Sequence, residues 1–216
     1  MESNTRTGQQ TLNIANSLRK EINSGALVAG VPLRQQQLAE KYNSSRMPVR
    51  DALRILENEG LIIFELNKGA RVAALNPEAI REIYEMRVSA ECLALKLAIP
   101  ELSNRHIEKA TSIQQEIETG QIENFGKTNM LFHNTLYAPS NRPRLLNHIK
   151  SLNELSDRYL KVALVELDYV DRSNLEHFEL LNACMKRDAV KACLILSNHI
   201  ERAGKALYEK LRQTNN

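Results

Sequence analysis

SSRMPVRDALRILENEGLI, residues 44–62, decides the fold of the first third of the chain. Asn43-Ser44-Ser45 makes a turn, and Ser45 is a good N-cap for a helix from Arg46 to Glu59. Pro48 falls in the first turn of that helix, where its missing N–H costs nothing, and Gly60 ends it. Arg46, Arg50 and Arg54 are spaced four apart and share one face, while Val49, Leu53 and Leu56 take the opposing one. A helix with an apolar back and a row of arginines in front suits the major groove of DNA. Guanidinium forks there reach guanine O6 and N7 or clamp phosphates. Ser45, at the helix N-terminus, can bind a phosphate with help from the helix dipole. The competing reading is an ordinary solvated face, with Arg50 and Arg54 paired to acids such as Glu57.

The flanking segments favour the first reading. Upstream, Gln9 to Ser24 is amphipathic, with Leu12, Ala15, Leu18 and Ile22 at helical spacing, and Gly25 stops it. Ala26 to Pro32 is a short connector, and Arg34 to Tyr42 is a second, short helix. Downstream, Leu61 to Glu65 and Ala70 to Ala73 are β-prone, with Asn67-Lys68-Gly69 supplying the turn between them. Three helices followed by a hairpin is the order of a winged helix-turn-helix, with Lys68 at the hairpin tip and Arg71 after it near the DNA backbone or minor groove. From Pro77 onward almost everything has helical periodicity. Helices are expected from Pro77 to near Pro100, Ser103 to Glu118, Ile122 to Tyr137, Pro143 to about Leu167, Arg172 to Lys186 and Ala189 to Gln213, the last capped by Asp188. The fold class is therefore mainly α: a winged helix-turn-helix over residues 1–75, then an all-α antiparallel helical bundle over 76–216.

Composition agrees. Up to Asn76 ten Lys/Arg face seven Asp/Glu, and the remainder carries 19 of each, so the net charge of +3 lies wholly in the first third. That is where a polyanion partner is expected. No apolar run approaches the ~20 residues of a membrane span, and MESNTRTGQQ is no secretory signal. A soluble cytoplasmic protein is expected. Cys92, Cys184 and Cys193 sit among aliphatic residues at no metal-like spacing and read as buried small hydrophobes.

The bundle carries a second pattern. Asn129 and His133 are four apart on one helix, His177 lies on the next-to-last helix, and His199 on the last. All occupy plausible inward faces, so the three histidines could converge on a divalent metal such as Zn or Ni, with an amide or carboxylate oxygen adding a ligand. Their spacing alone is a weak signal, since a lone histidine on an apolar face is more often a core residue. His106 and His148 match no ligand position and read as surface or structural residues.

SSRMPVRDALRILENEGLI, the hairpin NKGARVA and the earlier INSGALVAGVPLRQQQLAEKY together resemble the GntR family of bacterial regulators, in the branch whose second domain is the all-helical FCD type. The resemblance implies DNA contacts from Ser45, Arg46 and Arg50, with Gly69 in the wing permitting close approach. Two departures stand out. Ala29-Gly30 replaces the usual Pro-Gly, and Gln36 stands where some members place a DNA-contacting arginine, which suggests a different base preference. Arg34 is the nearest candidate to compensate. FCD domains carry an Asp-x-x-x-His pair and two later histidines that bind a metal. Here the pair is Asn129-Met-Leu-Phe-His133, and His177 and His199 follow. Asn129 in place of Asp removes one negative charge, which predicts weaker metal binding and greater dependence on an anionic ligand. The alternative is a metal-free pocket whose histidines bond the effector directly. Arg87 matches a family arginine facing this pocket, where it could grip a carboxylate bidentately. An ion pair with Glu91 is its other reading. The implied function is a homodimeric regulator, a repressor before an activator, of a palindromic operator in double-stranded DNA, tuned by a small organic acid. A metal-dependent enzyme with a DNA-binding appendage is disfavoured, because no general base or HExxH motif accompanies the histidines.

Overall fold

In the computed structural model, which describes residues 2–120, 125–163 and 169–214, the chain divides into two units, Met1–Leu75 and Asn76–Asn216. The first contains α1 (Glu2–Asn23), β1 (Pro32–Leu33), α2 (Gln35–Lys41), α3 (Arg46–Asn58), β2 (Ile62–Glu65) and β3 (Gly69–Val72). Its core is the apolar face of α1, with Ile14, Ala15, Leu18 and Ile22, laid on Val49, Ala52, Leu53 and Leu56 of α3. Arg19 of α1 clamps the end of α3 by donating through Nε and Nη2 to the two Glu59 oxygens, at 2.8 and 2.6 Å. Gly60 closes α3 in the left-handed conformation, φ 70°, so that its N–H reaches the Glu57 carbonyl and that of Leu61 reaches the Leu56 carbonyl. A residue with a Cβ is strained at that φ, which is why the helix stops there.

Two expectations need correction here. Helix α1 begins at Glu2 rather than Gln9 and runs through Gly8, which a helix interior tolerates at a cost of about 1 kcal/mol. The connector Ala26–Pro32 ends in a strand: Pro32 pairs with Arg71 and Leu33 with Ala70, giving a three-stranded antiparallel sheet in the order β1-β3-β2. A two-residue strand leaves no alternation to detect, and Pro32 is tolerated because β1 is an edge. The hairpin itself has the expected turn, with Glu65 opposite Gly69 and Ile62 opposite Val72.

The second unit is all helical: α4 (Pro77–Ala98), α5 (Asn104–Thr119), α6 (Phe125–Tyr137), α7 (Pro143–Ala163), α8 (Tyr169–Met185) and α9 (Ala189–Thr214). Single 3₁₀ turns at Ile99–Glu101 and Ala138–Ser140 take up the two proline breaks. The expected start of α6 at Ile122 and end of α7 near Leu167 lie outside the described residues. Asn76 caps α4 by accepting from the Glu78 N–H at 3.0 Å, and Asp188 caps α9 by accepting from the Lys191 N–H at 2.9 Å. Ser103 and His106 form a reciprocal capping box at the start of α5, so His106 is structural as expected. His148 is exposed. Helices α4 and α9 pack most extensively. Gly204 permits this, because a Cβ there would meet the Tyr84 ring at 2.7 Å.

Among the described residues no helix is long and apolar enough to cross a membrane. Of the cysteines only Cys184 is buried; Cys92 and Cys193 are half-buried, against the expectation that all three are core residues. They lie where α4 and α9 meet at the domain surface, a place helical periodicity alone cannot separate from the core.

Candidate functional site

On α3 the two faces separate as the spacing requires. Val49, Leu53 and Leu56 are fully buried, and Arg46, Arg50 and Arg54 are exposed. Ser45 holds the N-cap position in extended conformation, but its side chain makes no capping hydrogen bond. Arg50 lies 3.9 Å from Asp51 with both side chains about half exposed, a pair worth only ~0–1 kcal/mol in water. Neither Arg50 nor Arg54 pairs with Glu57 among the described residues. Arg46 is held instead: its Nε donates to Gln36 Oε1 at 2.6 Å, and Gln36 Nε2 donates to Glu40 Oε1 at 2.7 Å. The residue that departs from the family pattern thus braces a neighbouring arginine. Arg34 is exposed at the N-cap of α2, with no side-chain cap of its own.

In the wing, Lys68 is exposed and lies 3.5 Å from Glu65. Gly69 adopts φ 80°, so the turn needs a glycine for its backbone alone. Arg71, expected near DNA, is drawn onto Glu65 at 3.4 Å and donates to the Gly30 carbonyl at 3.2 Å. It therefore fastens the base of the wing to the connector.

In the helical domain, His133 of α6, His177 of α8 and His199 of α9 converge. All three are buried, with ring centroids 5.0 to 5.2 Å apart, and one nitrogen from each lies within 4.8 Å of the others. Asn129, one turn before His133 on the same face, is also buried. Phe132 stacks on His177 at 4.3 Å and seals that side.

The partners of each ring fix its protonation. His199 Nδ1 lies 2.7 Å from Glu176 Oε2, and a carboxylate only accepts, so Nδ1 carries hydrogen. His177 Nδ1 lies 2.6 Å from Gln114 Oε1, an assignment set by Gln114 Nε2 donating to Asn174 Oδ1 at 2.9 Å. His133 Nδ1 faces the Tyr137 hydroxyl at 3.3 Å, and that hydroxyl already donates to Glu91 Oε2 at 2.8 Å. It can only accept from His133. Each ring therefore turns an Nδ1–H to an outer acceptor, the arrangement of metal-ligating histidines held by outer hydrogen bonds; His133 Nε2 has no partner, and His177 Nε2 lies 3.4 Å from the Ser173 hydroxyl.

Burial holds His133 and His177 well below the ordinary histidine pKa, reinforced by the neighbouring histidines and, at His133, by Arg87. Burial pushes Glu176 upward, but the hydrogen bond from His199 and the charges of Arg202 and Arg172 outweigh it and keep it ionised. His133 Nε2 and Asn129 Oδ1 are both buried with no hydrogen-bond partner. Two orphaned acceptors beside two further imidazoles fit a bound divalent cation. Such an ion would supply a Lewis-acid point of attachment for an anionic ligand.

Arg87 is buried and forms the i,i+4 ion pair: its Nε donates to Glu91 Oε1 at 2.7 Å, and Nη1 donates to Ser156 Oγ at 3.4 Å. The guanidinium also lies over the Tyr84 ring at 4.7 Å. Sequence reasoning brought together the three histidines, Asn129 and Arg87 but missed Gln114, Tyr137 and Glu176. A signal existed for two of them. Gln114 is a polar residue in the apolar stripe of α5, and Tyr137 falls one turn after His133.

Comparison with known proteins places these features. Residues 10–72 match the family of bacterial regulatory proteins, gntR family, and residues 82–202 match the FCD domain. The HTH-type transcriptional regulator YdhC of Bacillus subtilis is 30% identical over 152 residues, 67% of this chain and 66% of that one. McbR of Escherichia coli is 29% identical over 192 residues, 85% of each chain. The repressor RspR of Escherichia coli is 25% identical over 205 residues, 92% of this chain and 88% of its own. The solved structure of E. coli McbR/YncC superposes with a TM-score of 0.74 over 94% of this chain and 98% of that one, at 24% identity, which shows a shared fold. These relatives are transcriptional regulators, not enzymes. The chain belongs to the GntR family of bacterial regulatory proteins, with a helix-turn-helix domain followed by an FCD domain.

Proposed function

We propose that this protein is a homodimeric repressor of a palindromic operator, whose DNA affinity is set by a small carboxylate bound in the FCD pocket beside a divalent metal. Arg46, Arg50 and the Ser45 hydroxyl would meet the major groove and its phosphates, with Lys68 and the Gly69 turn at the backbone. Arg34 and Gln36 would lie at the edge, where Gln36 acts by positioning Arg46. Two copies related by a two-fold axis would read two half-sites.

The observation that carries the pocket reading is that His133, His177 and His199 each bring one nitrogen to within 4.8 Å of the others while Nδ1 of each is held by an outer partner. Asn129 would complete the set. Three imidazoles and an amide bring no negative charge to a divalent ion, so an anion is needed to finish the shell. Arg87 is the pocket's cation, and a carboxylate that reached it would compete with Ser156 for Nη1.

The test is the metal content of untagged protein purified without chelator, beside a His133→Ala/His177→Ala variant. Near-stoichiometric metal in the parent, lost in the variant, is the expected result. No metal in either would overturn the metal site and leave ligand binding to Arg87 and the neutral histidines.

A further inference from the structure

Away from the histidine pocket, the contact between α4 and α9 sets two thiols face to face. Cys92 Sγ lies 3.6 Å from the Cys193 carbonyl oxygen, and Cys193 Sγ lies 3.5 Å from the Cys92 carbonyl oxygen. Each side chain reaches across to the other's backbone, which requires the residues to sit opposite one another. Both residues are half-buried, so neither is sealed in the core. Cys184, the third cysteine, is buried in the core.

We propose that Cys92 and Cys193 form a redox-active dithiol that a hydroperoxide closes to an intrachain disulfide between α4 and α9. The inference rests on the packing of these two helices and is independent of the metal and DNA readings. Cys193 is the attacking group. The Cys92 thiol beside it, helped by the charge of Lys96, outweighs burial and lowers its pKa to about 7, while the Cys193 thiol and burial raise Cys92. The Cys193 thiolate attacks one peroxide oxygen: an S–O bond forms, the O–O bond breaks, and the leaving hydroxide takes a proton to become water. Cys92 sulfur then attacks Cys193 sulfur. The S–S bond forms, the S–O bond breaks, and the Cys92 proton leaves with the hydroxide as a second water. Two thiols lose two electrons and the peroxide gains them. The cross-link would join the helix carrying Arg87 and Glu91 to the helix carrying His199, two walls of the same pocket.

The full-length protein, reduced, freed of metal by chelation and treated with a small excess of hydrogen peroxide, tests this. After quenching and alkylation, the expected product is a monomeric chain lighter by about 2 Da before alkylation, with one alkylated thiol and a Cys92–Cys193 peptide pair. Cys92→Ser should halt at a Cys193 sulfenic acid that dimedone captures. Cys193→Ser should consume peroxide about tenfold more slowly, the ratio expected when a low-pKa thiolate is lost. Three alkylated thiols after treatment, overoxidation of Cys193 with Cys92 still free, or a disulfide between two chains would each overturn the proposal.

Discussion

Gln36 shows how one residue changes the work of another. Its amide oxygen holds Arg46 and its amide nitrogen holds Glu40, so α2 fixes the rotamer of a side chain on α3. Gln36→Ala should free Arg46 and weaken operator binding in a fluorescence titration by less than Arg50→Ala does. Arg50→Ala should cost ~1–3 kcal/mol if its fork reads a base, and unchanged affinity would remove it from the recognition surface. In the pocket, Asn129→Asp restores a negative charge beside three imidazoles. It should tighten metal retention against a competing chelator; equal retention would exclude residue 129 as a ligand. The neutral histidines also predict a pH dependence. His133 and His177 have pKa values well below the unfolded value near 6.5, so the unfolded chain takes up protons that the metal-free folded chain refuses. Stability is full above about pH 6.5 and falls as pH drops below it. Urea unfolding of the metal-free protein at pH 7.5 and 5.5 should show this loss, and a His133→Gln/His177→Gln variant should flatten it. The identity of these histidines was legible because each falls on an apolar helical stripe. Their tautomers were not: Tyr137 sits one turn from His133, but Gln114 and Glu176 reach His177 and His199 from other helices, and only packing brings them to those rings.

At the scale of the element, the helices were more legible than the sheet. An amphipathic period repeated over 13 or more residues in α3 and in α4 to α9 fixes the buried face many times over, so their ends match to within a few residues wherever the chain is described. Strand β1 is two residues long and exists only because β3 offers it a free edge, information that lies some forty residues away. Helix contacts obey the same distinction. Gly204 looks unremarkable within α9, yet its missing side chain is what admits Tyr84 of α4. Gly204→Ala improves helix propensity by up to ~1 kcal/mol, but the added Cβ overlaps the ring of a buried tyrosine. The clash should win, with a net loss of ~1–3 kcal/mol in chemical denaturation. A stabilised Gly204→Ala protein would show that α4 can move off α9 freely.

For the whole molecule, two cores built from separate stretches of sequence make the domain boundary near Asn76 readable from composition and period alone. Every candidate metal ligand lies between residues 129 and 199, so metal at a hundredfold excess over Kd should stabilise the helical domain by ~2.7 kcal/mol and raise its unfolding midpoint. Hydrogen exchange should locate that gain in α6, α8 and α9. The outward Nδ1–H of each ring has a thermochemical consequence. His133 and His177 have no proton to expel when a cation arrives, so at neutral pH the ion can enter without titrating either ring. Calorimetry of metal loading in buffers with small and large ionisation enthalpies should then give heats that differ by less than the release of two protons would require. The affinity of the site should stay nearly level from pH 7 to 8, where an ordinary cysteine-rich site would still be gaining strength.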